Sequence, residues 1–166
     1  MNIKMNTTDE ERIGIIDFFR SHQLMVLGTK GPDGNPQLAA VYVYIGPNGA
    51  YYFMTRNTTR KFQNIIANEC VTLFAYDEVT MQCGEMTGKA HLILDAEKVI
   101  PMLTPLQQIA TTRNTKCWMP PVGQIEGHNY VLFEVIPEVL SVYDYGECEG
   151  TDPKPRTYKC EEEFHF

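Results

Sequence analysis

Two clusters of turn residues punctuate the first third of the chain: Gly31-Pro32-Asp33-Gly34-Asn35-Pro36 and Gly46-Pro47-Asn48-Gly49. Proline lacks the N–H that a helix interior or central strand requires, and glycine enters the left-handed region without strain. With Asp and Asn beside them, these residues reverse the chain within a few positions. The flanking segments, residues 24–29, 37–45 and 50–55, are rich in Val, Tyr, Leu and Ala and carry no 3.6-residue apolar stripe. Short β-type segments joined by tight turns pair most simply with their neighbours, so the sequence predicts an antiparallel meander.

Helical signals are few. Thr8 with Glu11 forms a capping box, and Ile13, Ile16 and Phe19 give a stripe over residues 8–21, with Arg20 and Gln23 opposite. A short helix is expected at 59–68, with Phe62, Ile65 and Ile66 on its inner face. Further strands are expected at 70–76, at 81–94 with a bend at Gly84 or Gly88, and at 130–136, continued by 139–145 after Pro137. Over 95–112, Asp95 suits an N-cap, while Pro101 and Pro105 should break the helix into short pieces. About six strands and few helices predict a mainly β fold, a closed or nearly closed antiparallel barrel.

A chain of 166 residues and 19.0 kDa suits one domain and needs no disulfide or metal staple. Its net charge of −7, with no basic run, disfavours DNA or RNA, whose affinity comes from cations displacing counterions. More than half of that charge belongs to residues 144–166, which hold seven acids and three bases, net −4, against −3 for residues 1–143. Residues 1–143 therefore read as the barrel domain and 144–166 as an acidic C-terminal tail. Pro153 and Pro155 keep the tail extended, either disordered or lying along a partner subunit. No segment approaches the ~18 apolar residues of a membrane helix, and residues 1–12 lack a secretory apolar region. The five cysteines are odd in number and form no CxxC pair, as expected of reduced cytoplasmic thiols.

The most informative stretch runs from Tyr52 to Phe62, YFMTRNTTRKF. A strand ends at Thr55 and a helix begins with Thr58 or Thr59 as its cap. Acids are the favoured residues in a first helical turn, yet Arg60 and Lys61 stand there, with Arg56 four residues upstream. Three cations, threonine hydroxyls and N–H groups at a helix start can form an anion site, most simply for a phosphate; a solvated basic turn has the same composition. Ala39 and Ala40 leave two readings open as well: plain barrel packing, or a flat strand that a planar ring can approach closely.

Four short motifs, in order and at matching spacing, resemble the pyridoxamine-phosphate-oxidase-like flavoproteins. Thr55-Arg56-Asn57-Thr58-Thr59-Arg60-Lys61 after an aromatic strand resembles their phosphate-binding segment. Residues 24–29 followed by Asp33-Gly34-Asn35-Pro36-Gln37 resemble the family's opening strand and D-G-x-P turn. Asn68-Glu69-Cys70-Val71-Thr72-Leu73 resembles its N-P-x-V strand start, with Glu69 in place of proline. Met86-Thr87-Gly88-Lys89-Ala90 resembles its G-x-A strand. The similarity covers residues 8–95 well and 128–143 loosely, and is greatest to the small general-stress-protein branch.

The resemblance implies a six-stranded FMN-binding split barrel that is homodimeric, with the cofactor at the subunit interface. By position, Arg60 and Lys61 would bind the FMN phosphate, with Arg56 beside them and Thr55 and Thr59 donating hydroxyls. The strand through Ala39, Ala40 and Val41 would lie along the isoalloxazine, and Gln82 stands near a flavin-facing glutamine, one residue out of step. Trp118, between Cys117 and two prolines, would either cap the partner's flavin or anchor a loop. The oxidases' C-terminal Trp and Arg pair has no counterpart here, so oxidation of pyridoxamine phosphate is not expected.

The expected function is thus a small FMN-dependent oxidoreductase acting on a small-molecule donor or acceptor. The rival keeps the fold without turnover, as a flavin or haem carrier or sensor. An oligonucleotide-binding barrel would require a basic groove, against the charge count. No metal is expected, because Cys148, Cys160 and His165 match no tight ligand spacing, and His91 reads as a half-exposed strand residue.

Overall fold

The computed structural model describes residues 8–113, 129–146 and 152–160. Both expected hairpins form, the first pairing residues 24–30 with 36–42 and the second only Tyr44 and Ile45 with Tyr52 and Tyr51. Strands β1 (Leu24–Lys30), β2 (Pro36–Tyr42), β3 (Tyr44–Ile45), β4 (Tyr51–Arg56), β5 (Cys70–Asp77), β6 (Gln82–Ile93), β7 (Tyr130–Asp144) and β8 (Arg156–Lys159) form one antiparallel sheet. Its order is β2-β1-β5-β6-β7-β4-β3, with β8 added on β7. Curled around one core, this is the split-barrel arrangement. The count of eight exceeds the expected six because β3, a two-residue piece, is split from β2 at Val43 and β8 lies in the tail.

Burial alternates along β1, β5 and most of β6, as period-two geometry requires, whereas β4 and the start of β7 are buried on both faces. Leu27, Phe53, Leu73, Met86, Phe133 and Val135 all point inward and exclude solvent completely. Phe53 and Phe133 stack with centroids 5.4 Å apart, joining β4 to β7 through the core. The 15-residue β7 is the spine of the sheet. One of its edges pairs with β6 from Leu132 to Asp144, while the other is shared by β4 and β8.

Pro137 does not divide this strand. The register shifts from Thr87↔Val139 to Gly88↔Pro137, leaving Glu138 as the extra residue of a bulge. A bulge tolerates the missing N–H, so proline bends the strand without ending it. Gly88 is required opposite, because a Cβ there would lie 2.2 Å from the Ile136 carbonyl oxygen. Of the two expected bend positions, Gly88 is the one that bends. Gly84 instead makes room for α1 (Asp9–Ser21), where a Cβ would sit 2.4 Å from the Phe18 ring.

The Thr8–Glu11 capping box of α1 is formed in both directions. Its inner face is Ile15, Ile16, Phe18 and Phe19, so the stripe is rotated from the expected one and Ile13 faces solvent. In α2 (Arg60–Ala67), likewise, Asn64 and Ile65 are buried while Ile66 is exposed. The third helix, α3 (Ala96–Arg113), runs unbroken through Pro101 and Pro105. The two prolines are four apart, so the carbonyls deprived of donors belong to Glu97 and Pro101, both exposed. On the neighbouring face, Leu106 with Val99 and Met102 packs on Tyr52 and Leu132, covering the outer face of β4 and β7. Burial of that apolar face offsets the two lost hydrogen bonds.

Within the tail, Arg156–Lys159 pairs with β7 of the same chain, and the Cys160 N–H donates to the bulge carbonyl of Glu138 at 2.9 Å. The tail, expected to be disordered or to lie along a partner subunit, is over these residues a strand of its own sheet. Among the described residues no helix is long and apolar enough to cross a membrane.

Candidate functional site

The junction of β4 and α2 is built by two threonines. Thr59 caps the helix, its Oγ1 accepting from the Phe62 N–H at 3.3 Å and donating to the Arg56 carbonyl at 2.9 Å. With that hydroxyl hydrogen committed, the 3.0 Å contact between the Thr55 and Thr59 oxygens leaves Thr55 as donor. Both hydroxyls therefore shape the turn first, and reach an anion only by rotating.

The N–H groups of Arg60 and Lys61, the first two of the helix, have no acceptor within it. The first turn contains no acid to neutralise the positive helix end or the two cations. Partial burial holds the Lys61 ammonium below the ordinary lysine value. A bound anion would reverse that, because it restores to the charge what desolvation removed.

Arg56 is placed differently. Strand alternation puts it on the face of β4 opposite Thr55, where its Nε donates to the Tyr130 hydroxyl at 2.5 Å and its guanidinium lies 5.3 Å from the Tyr130 ring centre. Of the three cations, then, Arg60 and Lys61 share the helix start and Arg56 is turned to β7. Tyr130, as the partner of Arg56, was not legible in the sequence.

A second unanticipated residue is Asn64. It is 2 % exposed, and its amide donates to Thr29 Oγ1 and to Gln37 Oε1, each at 3.0 Å. Thr29 and Gln37 face each other across β1 and β2, so α2 is tied to both strands at one point.

Beyond that tie, β2 runs through Ala39, Ala40 and Val41 as the terminal strand of the sheet order. The Val43 N–H bonds the Gln23 carbonyl at 2.8 Å and the Gly31 N–H bonds Asn35, which fixes the parity of the pair. The backbone groups of Ala39 and Val41 therefore face β1, and those of Leu38 and Ala40 face the open edge. The Val41 side chain is in the core, whereas Ala40 is exposed. A strand with a methyl side chain and an outward N–H and C=O can receive the edge of a flat heterocycle.

Gln82 lies elsewhere. It opens β6, and its amide donates to Asp144 at 2.5 Å, whereas the β4–α2 junction sits by the other end of that 12-residue strand. In one chain the two are separated by on the order of 35 Å of strand. Trp118 falls outside the described residues, as do Cys117, Cys148 and His165. His91 is half-exposed, 3.9 Å from Glu69. Among the described residues no group of three or more His, Cys, Asp or Glu could hold a metal ion.

The outer faces of β1, β2 and β5 form an open groove of about 590 Å³ bordered by Val26, Gly28, Leu38, Thr72 and Phe74. Leu38 is 76 % exposed and Phe74 39 %, an apolar surface of the kind that marks an interaction site.

Residues 15–139 match the sequence pattern of the pyridoxamine 5'-phosphate oxidase family, and the chain belongs to that family. Among solved structures it is similar to a pyridoxamine 5'-phosphate oxidase-related, FMN-binding protein from Nostoc punctiforme (15 % identity, 98 % of this chain and 95 % of that one, TM-score 0.64). It is also similar to a Clostridium acetobutylicum protein related to general stress protein 26 of B. subtilis (16 % identity, 90 % and 92 %, TM-score 0.62). A third, named as an F420 reductase, shares 22 % identity over 75 % of this chain and 94 % of its own, with TM-score 0.57. At these identities the likeness is one of fold. No match was found among curated proteins.

Proposed function

We propose that this chain binds FMN through the start of α2 and works as a small flavin-dependent oxidoreductase. The observation that carries the reading is the pair Arg60 and Lys61 on an acid-free helix start, in a helix that Asn64 ties to the terminal strand β2. Arg60, Lys61 and the first N–H groups of α2 hold the phosphate, and Thr55 and Thr59 supply hydroxyls by rotating out of the turn. Ala40 and Leu38 offer backbone donors and acceptors to the ring edge, with Ala39 and Val41 fixing that strand to β1. When bound, the flavin supplies hydride and electron transfer, while the protein's part is to hold, orient and shield it.

The apolar outer face around Leu38 and Phe74 supports a homodimer, with the site completed across the interface. Any part played by Gln82 or Trp118 at the ring then belongs to the opposite subunit's cofactor. Family membership supports an enzyme acting on a small-molecule donor or acceptor, and this reading places it in the cytoplasm.

The test is spectroscopic. Purified protein is expected to carry or take up FMN, giving flavin absorbance that a reduced nicotinamide bleaches and an acceptor restores. Bound flavin that no common donor bleaches would favour the carrier or sensor. F420 is tested in parallel, since a structure of this fold bears that name. Protein that takes up neither refutes the proposal.

A further inference from the structure

Asn64 is an unfavourable residue for the interior of an eight-residue helix, and it is almost completely buried. Burying an amide is costly unless its hydrogens are bonded. Both are bonded here, to Thr29 Oγ1 on β1 and Gln37 Oε1 on β2, at 3.0 Å each. The two acceptors stand at facing register positions, so the amide spans a strand pair and does not merely satisfy a neighbour. A leucine would fill the same space with no preferred direction.

Helix periodicity gives this contact its consequence. Asn64 lies four residues after Arg60 and three after Lys61, one turn along the same side of α2. Rotation or sliding of α2 that moves Asn64 moves both cations with it. Gln37 in turn lies three residues before Ala40, whose backbone faces the open edge of β2. One side chain thus sets where the anion-binding helix start stands relative to the strand edge.

We infer that Asn64 is the positioning residue of the phosphate site, registering the first turn of α2 against β2 through Thr29 and Gln37. The inference rests on the FMN reading given above. Its readout is the preference for FMN over riboflavin, which differ only in the phosphate, so the ratio of their dissociation constants reports the helix start alone.

In Asn64→Leu that ratio is expected to fall by about tenfold, the scale of one hydrogen bond to a charged group, with riboflavin affinity unchanged. Thr29→Val, a milder change that keeps the helix packed, is expected to lower it in the same direction. The double variant is expected to lose no more than Asn64→Leu, because the two residues act as a unit. Thermal unfolding is followed alongside, since a purely structural role lowers the melting temperature without moving the ratio. A folded Asn64→Leu or Thr29→Val protein with the wild-type ratio overturns the assignment. If the wild-type protein itself shows no preference for FMN, the phosphate-site reading fails and this inference falls with it.

Discussion

The hydroxyl oxygens of Thr55 and Thr59 meet at 3.0 Å across the junction of β4 and α2, the first buried in the barrel and the second capping the helix. The contact joins the last core residue of a strand to the first turn of a basic helix. Replacing Thr59 by Val removes the acceptor for the Phe62 N–H and the bond to the Arg56 carbonyl. Stability should fall by about 1 kcal/mol, measured by urea denaturation, while Thr59→Ser should stay close to wild type. An unchanged midpoint in Thr59→Val would show that the cap contributes nothing.

Gly88→Ala should cost more than about 3 kcal/mol or abolish folding, because its Cβ meets backbone that cannot move aside. Gly84→Ala should be milder, since its obstacles are the side chains of Phe18 and Phe19, which can shift with α1, and not sheet backbone. Comparing the two in chemical denaturation tests the bulge directly. Equal losses would mean that the Ile136 carbonyl is not the obstacle.

Acid should unfold the protein partly through Asp77. Its carboxylate accepts from the Val79 N–H at 2.9 Å and the Thr80 N–H at 3.3 Å, and lies 3.3 Å from His22 Nε2. The Val79 bond is the main reason its folded-state pKa lies below the ordinary 3.8. A depressed carboxylate stabilises the fold above its unfolded value and loses that contribution as pH falls through the folded one. Asp77→Asn should therefore flatten the stability profile below about pH 4. A profile identical to wild type would remove Asp77 from the account.

How much of this was legible depended on whether the controlling interaction was local. The capping box at Thr8, the Asp33-Gly34 and Asn48-Gly49 turns and the cap of α2 are all decided within four residues, and the sequence identifies them, the last to within one position, as Thr58 or Thr59. Ile13 and Ile66 were placed inward because periodicity counts apolar residues and does not see what faces them. The space for Phe18 comes from Gly84, far along the chain, and the inward position in α2 goes to Asn64, for polar reasons. Proline misled in both directions. The carbonyls that Pro101 and Pro105 leave without donors are on exposed residues of α3, and Pro137 is absorbed by a bulge whose partner, Gly88, no local window contains. In the site, Arg60 and Lys61 were readable from the absence of acids in the first turn. The separation of Arg56 toward Tyr130 depends on a register between strands 74 residues apart in sequence.

Affinity for FMN should decline at alkaline pH earlier than an ordinary lysine would dictate. Burial lowers the Lys61 pKa below 10.5 in the absence of ligand. Phosphate binding favours the protonated form, so affinity falls as pH rises through the depressed value. Lys61→Arg, which stays charged, should abolish the decline. Titrations from pH 7 upward decide it, and a decline that survives Lys61→Arg would assign the effect to another group.

Leu38→Glu places a charge on the outer face of β2, at a side chain 76 % exposed in the single chain. A dimer using this face should dissociate, read as a halved mass by light scattering, and its FMN affinity should drop together with the mass. A variant that keeps the dimer would exclude this face as the interface.

The most direct test of the central claim is calorimetric titration of FMN and riboflavin, side by side, into the wild-type protein and into Arg60→Ala/Lys61→Ala. The wild type should bind one FMN per chain, at least about tenfold more tightly than riboflavin. In the double variant the two ligands should become equivalent. Equal affinities in the wild type, or a preference for FMN that survives loss of both cations, would contradict a phosphate site at the start of α2.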